Sequence, residues 1–532
     1  MPDLIHELIA HSAELRPTAT ALVHKNQSLT YAELEANVDA FAAGLMALGV
    51  ARSDRVAVYL PKQLHTVFGL FGAARAGGCF VPLNPVLKAR QLAHILPHSN
   101  TRVLLTSWDR LDQLREVLSG CPELHTLVLV DERPAQPPTD LPQALLDYDE
   151  FVAGGEPGAM HRCIDVDMAA ILYTSGSTGN AKGVVLSHRN LVAGARSVAA
   201  YLENTAEDRL LSVLPLSFDA GLSQLTSAFA AGASIALMDY LLPRDVIRAA
   251  ARHHVTGLAG VPPLWNQLRD LPWPQEVKHR LRYITNTGGA MPEATTRALQ
   301  RALPDTDIYL MYGLTEAFRS TYLPPEEIDT RPDSIGKAIP NAEILVVNDE
   351  GVECAPGETG ELVHRGALVS MGYWRDPKKT ARHFRPPPTR IAGLPTDELA
   401  VWSGDLVRKD EDGFLYFVGR RDDLIKTSGY RVSPTEVEEV ALGHVAVQQA
   451  VALGLAHAEL GQAILLLVCA APECRDGDLE TALKAQFRLE LPNYMTPAAI
   501  LCLEELPLNQ NGKVDRSGLR ATYHDFFEAD AT

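Results

Sequence analysis

A run of glycines, small hydroxylated residues and one lysine at positions 173–183 has the composition of a loop that binds phosphate. Glycine permits positive φ and lets backbone N–H groups approach an anion, while serine and threonine hydroxyls donate hydrogen bonds to it. The candidate phosphate-binding residues of this loop are Thr174, Ser175, Gly176, Ser177, Thr178, Gly179 and Lys182. The composition therefore predicts a polyphosphate ligand, and ATP is the expected one.

The loop lies between apolar runs at 168–172 and 184–186, and each of these runs is typical of a strand. This setting differs from the strand-to-helix P-loop, in which Gly-Lys-[Ser/Thr] follows four spacer residues. A Gly/Ser-rich surface turn is the alternative interpretation. The length of the run and its lysine favour the phosphate-binding interpretation.

Further motifs follow this loop along the chain. They read PLSFD at 215–219, GGAMP at 288–292, YGLTE at 312–316, SGD at 403–405, GRRDDLIKTSG at 419–429 and PLNQNGK at 507–513. In this order the motifs resemble, over nearly the whole chain, the AMP-forming adenylate and thioester ligases, which include acyl-CoA synthetases, luciferases and the adenylation domains of nonribosomal peptide synthetases. The visible departure is Ser403, where the family usually has threonine, and the hydroxyl is retained.

The resemblance implies an ATP-dependent reaction that activates a carboxylic acid as an acyl adenylate, releases pyrophosphate and then transfers the acyl group to a thiol. It assigns the pyrophosphate end of ATP to the loop, the α-phosphate to Thr315 and Mg²⁺ to Glu316. A carboxylate suits this hard cation. The resemblance also assigns Lys513 to the substrate carboxylate and the α-phosphate during adenylation, where the ammonium offsets the growing negative charge.

The same resemblance implies a nucleoside site. The expected residues are Tyr312 and the backbone of Gly288, Gly289 and Ala290 for adenine, Asp405 for both ribose hydroxyls, and Arg420 for the ribose and phosphates. Taken singly, Asp405 and Lys513 would be ordinary surface groups, because surface acids and lysines are common. Their places in the ordered motifs favour the functional roles.

The elements that must position these residues follow an α/β pattern. Short apolar runs at 55–60, 102–106 and 126–130 alternate with helical stretches, which predicts a sheet covered on both faces. At 28–34 a strand is predicted to enter a helix capped by Thr30, with Glu33 completing a capping box. From the resemblance we expect a large N-terminal adenylating domain of layered sheets and helices at 1–420 and a small mobile α+β C-terminal domain at 423–532.

The small domain is expected to contain helices at 434–442 and 479–489 and strands at 447–455, 463–470 and 499–503. The resemblance implies that it rotates between the two half-reactions about a hinge near Asp422. Lys426 and Gly429 follow this hinge, and the family brings such a strand to the thiol channel in its second pose. A tight turn is the alternative role for Gly429.

The acid pocket should decide the substrate. By resemblance to amino-acid adenylation domains, its expected residues are Phe218, Asp219, Ser223, Gly260, Thr287, Met311 and Arg319. Asp219 would pair with a substrate ammonium, since an unpaired carboxylate facing an aliphatic tail would cost several kcal/mol. Arg319 would bind a second carboxylate bidentately. These two residues together favour an amino acid, and an acidic one in particular.

Two structural alternatives weaken that interpretation. Arg319 would pair at the surface with Glu326 or Glu327 instead, and Asp219 would cap a helix that begins near Ala220. The runner-up function is then a medium- or long-chain fatty acyl-CoA synthetase. A further alternative from another class is a luciferase-like oxygenase or an inactive binding module, which the complete set of charged motif residues disfavours.

The net charge of −18 and the lack of a basic run disfavour binding to nucleic acid or to anionic membranes. An acidic N-terminus and the lack of an apolar run of about 18 residues predict a cytoplasmic enzyme without a membrane span. No carrier domain is recognisable after Lys513. The thiol acceptor is therefore expected to be either CoA or a separate acyl carrier protein with a phosphopantetheine arm, and the sequence favours neither.

Overall fold

The computed structural model describes residues 1–138, 140–155, 160–174, 181–388, 393, 398–421, 423–427, 430–457, 460–470, 479–509 and 513–527. Within them the strands form three sheets, and helices pack against the sheet faces. The first two sheets and their helices, with strands up to Arg420, are called the large domain below. The third sheet and its helices, with strands from Ile425 onward, are called the small domain.

The first sheet carries the predicted phosphate loop between two of its strands. In spatial order its strands are β19 (Gly372–Tyr373), β9 (Lys182–Ser187), β8 (Met168–Thr174), β4 (Cys79–Pro82), β3 (Arg55–Val58), β5 (Thr101–Ser107), β6 (Thr126–Val130) and β7 (Ala144–Asp147). Strands β8 and β9 pair antiparallel, and Thr174 lies opposite Lys182. The predicted strand–loop–strand arrangement is therefore confirmed for the two strands.

The second sheet supplies the strand ends at which the other motifs lie. In spatial order its strands are β17 (Ala342–Val347), β18 (Thr359–Gly366), β21 (Ala400–Lys409), β22 (Leu415–Arg420), β16 (Ser334–Ala338), β15 (Thr321–Leu323), β14 (Asp307–Tyr312), β13 (Tyr283–Asn286), β12 (Gly257–Gly260), β10 (Arg209–Ser212), β11 (Ser234–Leu237), β1 (Thr20–His24) and β2 (Gln27–Thr30). A short strand, β20 (Phe384–Arg385), pairs with β21. Strands β14, β13, β12 and β10 run parallel, so their carboxyl ends lie along one edge.

The third sheet contains β24 (Tyr430–Val432), β23 (Ile425–Thr427), β26 (Gly461–Ala470), β25 (Val447–His457) and β27 (Ala499–Leu503). Helices α14 (Pro434–Leu442) and α15 (Leu479–Glu490) pack against it, and α16 (Arg516–Thr522) follows the last motif. The helices and strands predicted for this part of the chain are confirmed, with strand ends that extend a few residues further. The large domain and the small domain together confirm the predicted α/β fold class.

The α-helices of the large domain are α1 (Glu7–Leu15), α2 (Tyr31–Ala47), α3 (Leu64–Arg75), α4 (Ala89–Ser99), α5 (Leu111–Leu118), α6 (Tyr148–Ala153), α7 (His188–Tyr201), α8 (Asp219–Ala231), α9 (Pro243–Arg252), α10 (Pro262–Leu268), α11 (Gln275–Lys278), α12 (Glu293–Ala302) and α13 (Pro377–His383). Helix α2 begins with the predicted capping box, in which the Thr30 hydroxyl accepts from Glu33 N and the Glu33 carboxylate accepts from Thr30 N. In the described part of the chain, no helix is long and apolar enough to cross a membrane.

The N-terminal segment is attached to the large domain through a buried histidine. His188, the first residue of α7, is fully buried, and its Nδ1 accepts a hydrogen bond from Ile5 N at 3.1 Å. His6 is also buried, and its ring lies edge-on to that of His188 at 6.1 Å. Burial lowers the pKa of His188 to about 4, although Asp167, Glu7 and Asp165 act in the opposite direction.

This geometry predicts acid-sensitive stability. An unfolded histidine binds a proton below a pH of about 6.5, whereas folded His188 stays neutral until the pH approaches 4, so the folded state loses stability between these values. From pH 7.5 to 5 we expect His188 to cost about 2 kcal/mol of unfolding free energy. Urea unfolding at both pH values should show a smaller loss in His188→Gln than in the exposed-site control His279→Gln. Equal losses in the two variants would contradict this account.

Candidate active site

Three of the residues predicted to bind the nucleoside lie together: Tyr312 ends β14, Arg420 ends β22, and Asp405 lies in the middle of β21. The Tyr312 hydroxyl donates a hydrogen bond to Asp405 Oδ2 at 2.5 Å, and Arg420 Nε donates to Asp405 Oδ1 at 2.8 Å. Ser403 accepts from Asp405 N at 3.0 Å through the hydroxyl that replaces the family's threonine. Both Asp405 oxygens therefore accept hydrogen bonds from side chains of the site.

A second charged group lies beside the phosphate loop. Lys182 Nζ donates to Glu316 Oε1 at 2.7 Å, and the Tyr373 hydroxyl donates to the same oxygen at 2.6 Å. Burial acts to raise the pKa of the Glu316 carboxyl, but the Lys182 charge and these hydrogen bonds outweigh it and lower the pKa to about 2. Glu316 is therefore ionised at neutral pH, and its charge is balanced by Lys182.

Tyr373 is a site residue that the sequence did not predict. It lies on β19, which pairs with β9, and this pairing places its ring 4.7 Å below the Lys182 ammonium. No motif marks it, because the contact arises from strand pairing between segments far apart in the chain. Only the spatial order of the first sheet brings it to Glu316.

Lys513, from the small domain, reaches into the cleft of the large domain. Its ammonium lies 5.7 Å from the Phe218 ring, and its Cε lies 3.2 Å from where a Cβ on Gly288 would be. Gly288 has φ +81, so glycine there serves both the backbone conformation and the approach of Lys513. Lys513 as a whole residue is exposed. Desolvation of its ammonium nevertheless lowers the pKa of Lys513, and the charge of Asp219 acts to raise it.

The predicted acid-pocket residues lie along the carboxyl edge of the second sheet, where ligands bind in open α/β sheets. Asp219 and Ser223 are on α8, which follows β10, and Met311 is on β14. Gly260 ends β12, and a Cβ there would lie 2.6 Å from the Trp265 ring. Thr287 follows β13 and is 3% exposed. The strand order therefore brings these residues to the same edge of the second sheet.

Asp219 and Arg319 are two buried opposite charges that do not form an ion pair. Each side chain is 4% exposed. Asp219 accepts one hydrogen bond, from Ala220 N at 2.8 Å, and the Nε of Arg319 has no hydrogen-bond partner in the described structure. Burial raises the pKa of Asp219, and the charges of Arg319 and Lys513 act against that rise. Neither charge therefore has an ion-pair partner among the described residues.

The structure bears on the two structural alternatives. Surface pairing of Arg319 is wrong, because Arg319 is buried and Glu327 pairs with Arg331 instead. The helix alternative holds in part, since α8 begins at Asp219 itself and its carboxylate accepts from the next backbone N–H. A carboxylate in the first turn of a helix is favourable, so Asp219 has a structural role whatever the ligand is.

Several predicted residues fall outside the described part of the chain. They are Ser175, Gly176, Ser177, Thr178 and Gly179 of the loop, Asp422 at the expected hinge, and Gly429 of the expected thiol channel. Lys426 lies on β23. At the entrance of the loop, Thr174 Oγ1 is buried without a hydrogen-bond partner among the described residues, so it is available to a ligand.

Comparison with known proteins agrees with this geometry. Residues 9–374 match the family model described as AMP-binding enzyme, and residues 436–513 match the AMP-binding enzyme C-terminal domain. A long-chain-fatty-acid–CoA ligase of Salmonella typhimurium is 30% identical, in a match that covers 97% of this chain and 93% of that protein. An L-proline–[L-prolyl-carrier protein] ligase of Pseudomonas fluorescens is also 30% identical, over 97% of this chain and 98% of that protein.

Among solved structures, ATP-bound MatB from Rhodopseudomonas palustris superposes with a TM-score of 0.86 at 25% identity. The match covers 99% of this chain and 100% of that chain. The relatives therefore include ligases named for a fatty acid and ligases named for an amino acid. The comparisons give the reaction class and leave the acid open.

The electrostatics of Lys182 and Glu316 give a test. Lys182→Met leaves the Glu316 carboxylate without its counter-charge and should cost about 3 kcal/mol of unfolding free energy, whereas Lys182→Met/Glu316→Gln should cost less. A double-mutant cycle by urea unfolding, completed with Glu316→Gln alone, measures the coupling directly. Additive single effects, within about 0.5 kcal/mol, would show that the two groups do not stabilise each other.

Proposed function

We propose that this chain, which belongs to the AMP-binding enzyme family, activates an amino acid with a second carboxylate and transfers it to CoA or to a separate carrier protein. As an AMP-forming ligase, it consumes ATP, forms an acyl adenylate with release of pyrophosphate and then forms a thioester. The proposal concerns which acid is used, which residues act in each step and which thiol accepts the product.

The observation that carries the substrate proposal is the separation of Asp219 from Arg319. Isolated buried charges are expensive, so two unpaired ones within the same pocket are costly unless a ligand compensates them. A substrate ammonium would satisfy Asp219, and a side-chain carboxylate would satisfy the Arg319 guanidinium. The Oγ of Ser223 is buried without a hydrogen-bond partner in the described structure and would supply one further polar contact.

The Lys182–Glu316 pair supports a phosphate site in which partners are exchanged. Lys182 donates to Glu316 and would turn toward the phosphates of a bound ATP. Glu316 would then hold Mg²⁺ together with phosphate oxygens, because this cation is usually bound through one or two carboxylates and the substrate phosphates. The ionised Glu316 carboxylate supplies the kind of oxygen donor that this cation prefers.

For the first half-reaction, Lys513 is proposed to bind the substrate carboxylate and the α-phosphate. Its ammonium already lies near Asp219, at the boundary between the acid pocket and the nucleoside site. Tyr312 and Asp405 would then receive adenine and ribose, with Asp405 exchanging its present partners for the ribose hydroxyls. Thr315 opens the turn that contains Glu316 and is proposed to hold the α-phosphate.

For the second half-reaction, a hinge near Asp422 would remove Lys513 from the cleft and bring Lys426 and Gly429 to the thiol channel. Ion pairs on both sides of Asp422 support a pivot there. Arg421 pairs with Asp349 of the large domain at 3.0 Å, and Asp423 pairs with Arg520 of the small domain at 3.6 Å. The neighbours of Asp422 are therefore tied to different domains. A boundary between 1–420 and 423–532 is consistent with this arrangement.

The role of Lys513 predicts a separation of the half-reactions. Lys513→Ala should lower acid-dependent ATP–pyrophosphate exchange by about 100-fold, because the ammonium acts on charge that develops in adenylation. Thioester formation from a supplied acyl adenylate should remain within about twofold of wild type. Losses of similar size in both reactions would contradict the proposed role.

The two pocket charges predict opposite changes in selectivity. Asp219→Ala should abolish amino-acid-dependent exchange, since the ammonium would lose its counter-charge at a cost of about 3–5 kcal/mol. Arg319→Leu should impair activation of acidic amino acids and favour an apolar one of similar length.

The same measurement distinguishes the fatty-acid alternative. Wild-type exchange that depends on octanoate or decanoate, with no amino-acid signal and little effect of either substitution, would contradict the amino-acid proposal and favour the fatty acyl-CoA synthetase. Ser223→Ala serves as the matched control, because it changes the same pocket without changing its charge.

A further inference from the structure

A buried ion pair of the small domain takes no part in the reaction described above. Glu438 on α14 is 8% exposed, and its Oε2 accepts a hydrogen bond from Arg516 Nη2 at 2.6 Å. Its Oε1 accepts another from Ala452 N at 2.8 Å, and Arg516 Nη1 donates to the carbonyl of Ala452 at 3.2 Å. These bonds join α14, β25 and the first residue of α16.

Arg516 lies just after the turn that carries Lys513. The turn is closed by hydrogen bonds from Lys513 N to Asn509 Oδ1 at 3.1 Å and from Asn509 N to the Lys513 carbonyl at 2.6 Å. A further bond, from Asp515 N to the Pro507 carbonyl at 2.8 Å, joins the two ends of the turn. These bonds join the two ends of the turn. Arg516, together with the packing of Leu506 and Leu519 against β25, joins the chain on either side of it to the rest of the small domain.

The chemistry of the pair argues for a positional role. A buried ion pair is weak evidence for stability, because well-packed apolar residues of similar volume often serve as well or better. What it supplies is a defined geometry: a planar guanidinium that bonds one carboxylate and one carbonyl in fixed directions. Here that geometry holds the first residue of α16, which is capped by Asp515, against β25, and so constrains the chain that leads back to Lys513.

We propose that Glu438 and Arg516 are positioning residues for Lys513, which hold its turn so that the ammonium reaches the cleft between Phe218 and Gly288. The proposal rests on the adenylation role proposed above for Lys513. Because Lys513 enters the cleft from the small domain, a displacement of its turn displaces the ammonium as well. A placement error of about 1 Å costs roughly 100-fold in rate at a reacting centre.

The test compares the two half-reactions in Arg516→Met, Glu438→Gln and Glu438→Leu/Arg516→Met. Exchange is measured with L-glutamate and with octanoate, so that either acid class gives a signal. Thioester formation is measured from glutamyl and octanoyl adenylates with phosphopantetheine, the thiol arm that CoA and carrier proteins share. We expect Arg516→Met and the double variant to lose at least about tenfold in exchange and less than about twofold in thioester formation.

Glu438→Gln keeps one acceptor oxygen, but its NH2 group cannot accept the second hydrogen bond that Glu438 accepts from Ala452 N or Arg516, so its exchange activity should fall between those of the wild type and Arg516→Met. Glu480→Gln/Lys484→Met, which removes an exposed ion pair of α15 at 2.7 Å, is the matched control in the same domain and should change neither reaction. The double variant keeps the test valid if Arg516→Met does not fold, because it buries no unpaired charge.

The outcomes distinguish the two proposals. If Lys513→Ala loses exchange while the folded Arg516→Met and double variants keep it, the positioning role is wrong and the role of Lys513 stands. If Lys513→Ala itself keeps exchange, the role of Lys513 is wrong. If the double variant loses both half-reactions equally, the pair is structural in general and does not position Lys513.

Discussion

The proposed substrate selectivity depends on Asp219 and Arg319, two buried side chains of opposite charge that do not form an ion pair. Asp219 and Arg319 lie on different elements, α8 and the turn after Thr315, and they form no ion pair with each other. The surrounding pocket excludes water from both, since each is almost fully buried. A low-dielectric pocket with unpaired charges is unfavourable when empty and selective when filled, because a ligand without matching charges leaves them uncompensated.

The remaining charged groups of the cleft are arranged differently, since they already compensate one another. Glu316 is balanced by Lys182, and Asp405 is bonded to both Tyr312 and Arg420. Ligand binding at these positions exchanges one set of partners for another, so part of the electrostatic gain is offset by contacts that are lost. In the proposed acid pocket, Asp219 and Arg319 have no ion-pair partner among the described residues to exchange, so under the proposal these two charges would contribute more to the choice of acid than the nucleoside contacts contribute to the choice of nucleotide.

The sequence predicted much of this arrangement. Apolar periodicity predicted the strands on both sides of the phosphate loop and the elements of the small domain, and the capping box at Thr30 predicted where α2 begins. Ordered motifs predicted which residues converge. Sequence did not predict Tyr373 or the pairing of Glu438 with Arg516, because these contacts depend on strand pairing and helix packing between distant segments. Nor did it predict that Tyr312 would donate to Asp405, because the two residues lie on strands that are far apart in the chain.

The most direct test of the central claim varies the ligand while the protein stays unchanged. ATP–pyrophosphate exchange would be measured with L-aspartate and L-glutamate, with their amides, with succinate and glutarate, and with octanoate. The amides lack the second carboxylate, and the dicarboxylates lack the ammonium. The account predicts exchange with an acidic amino acid and a loss of about 100-fold when either charge is removed. Equal or greater exchange with octanoate, or with the amides and the dicarboxylates alike, would contradict it.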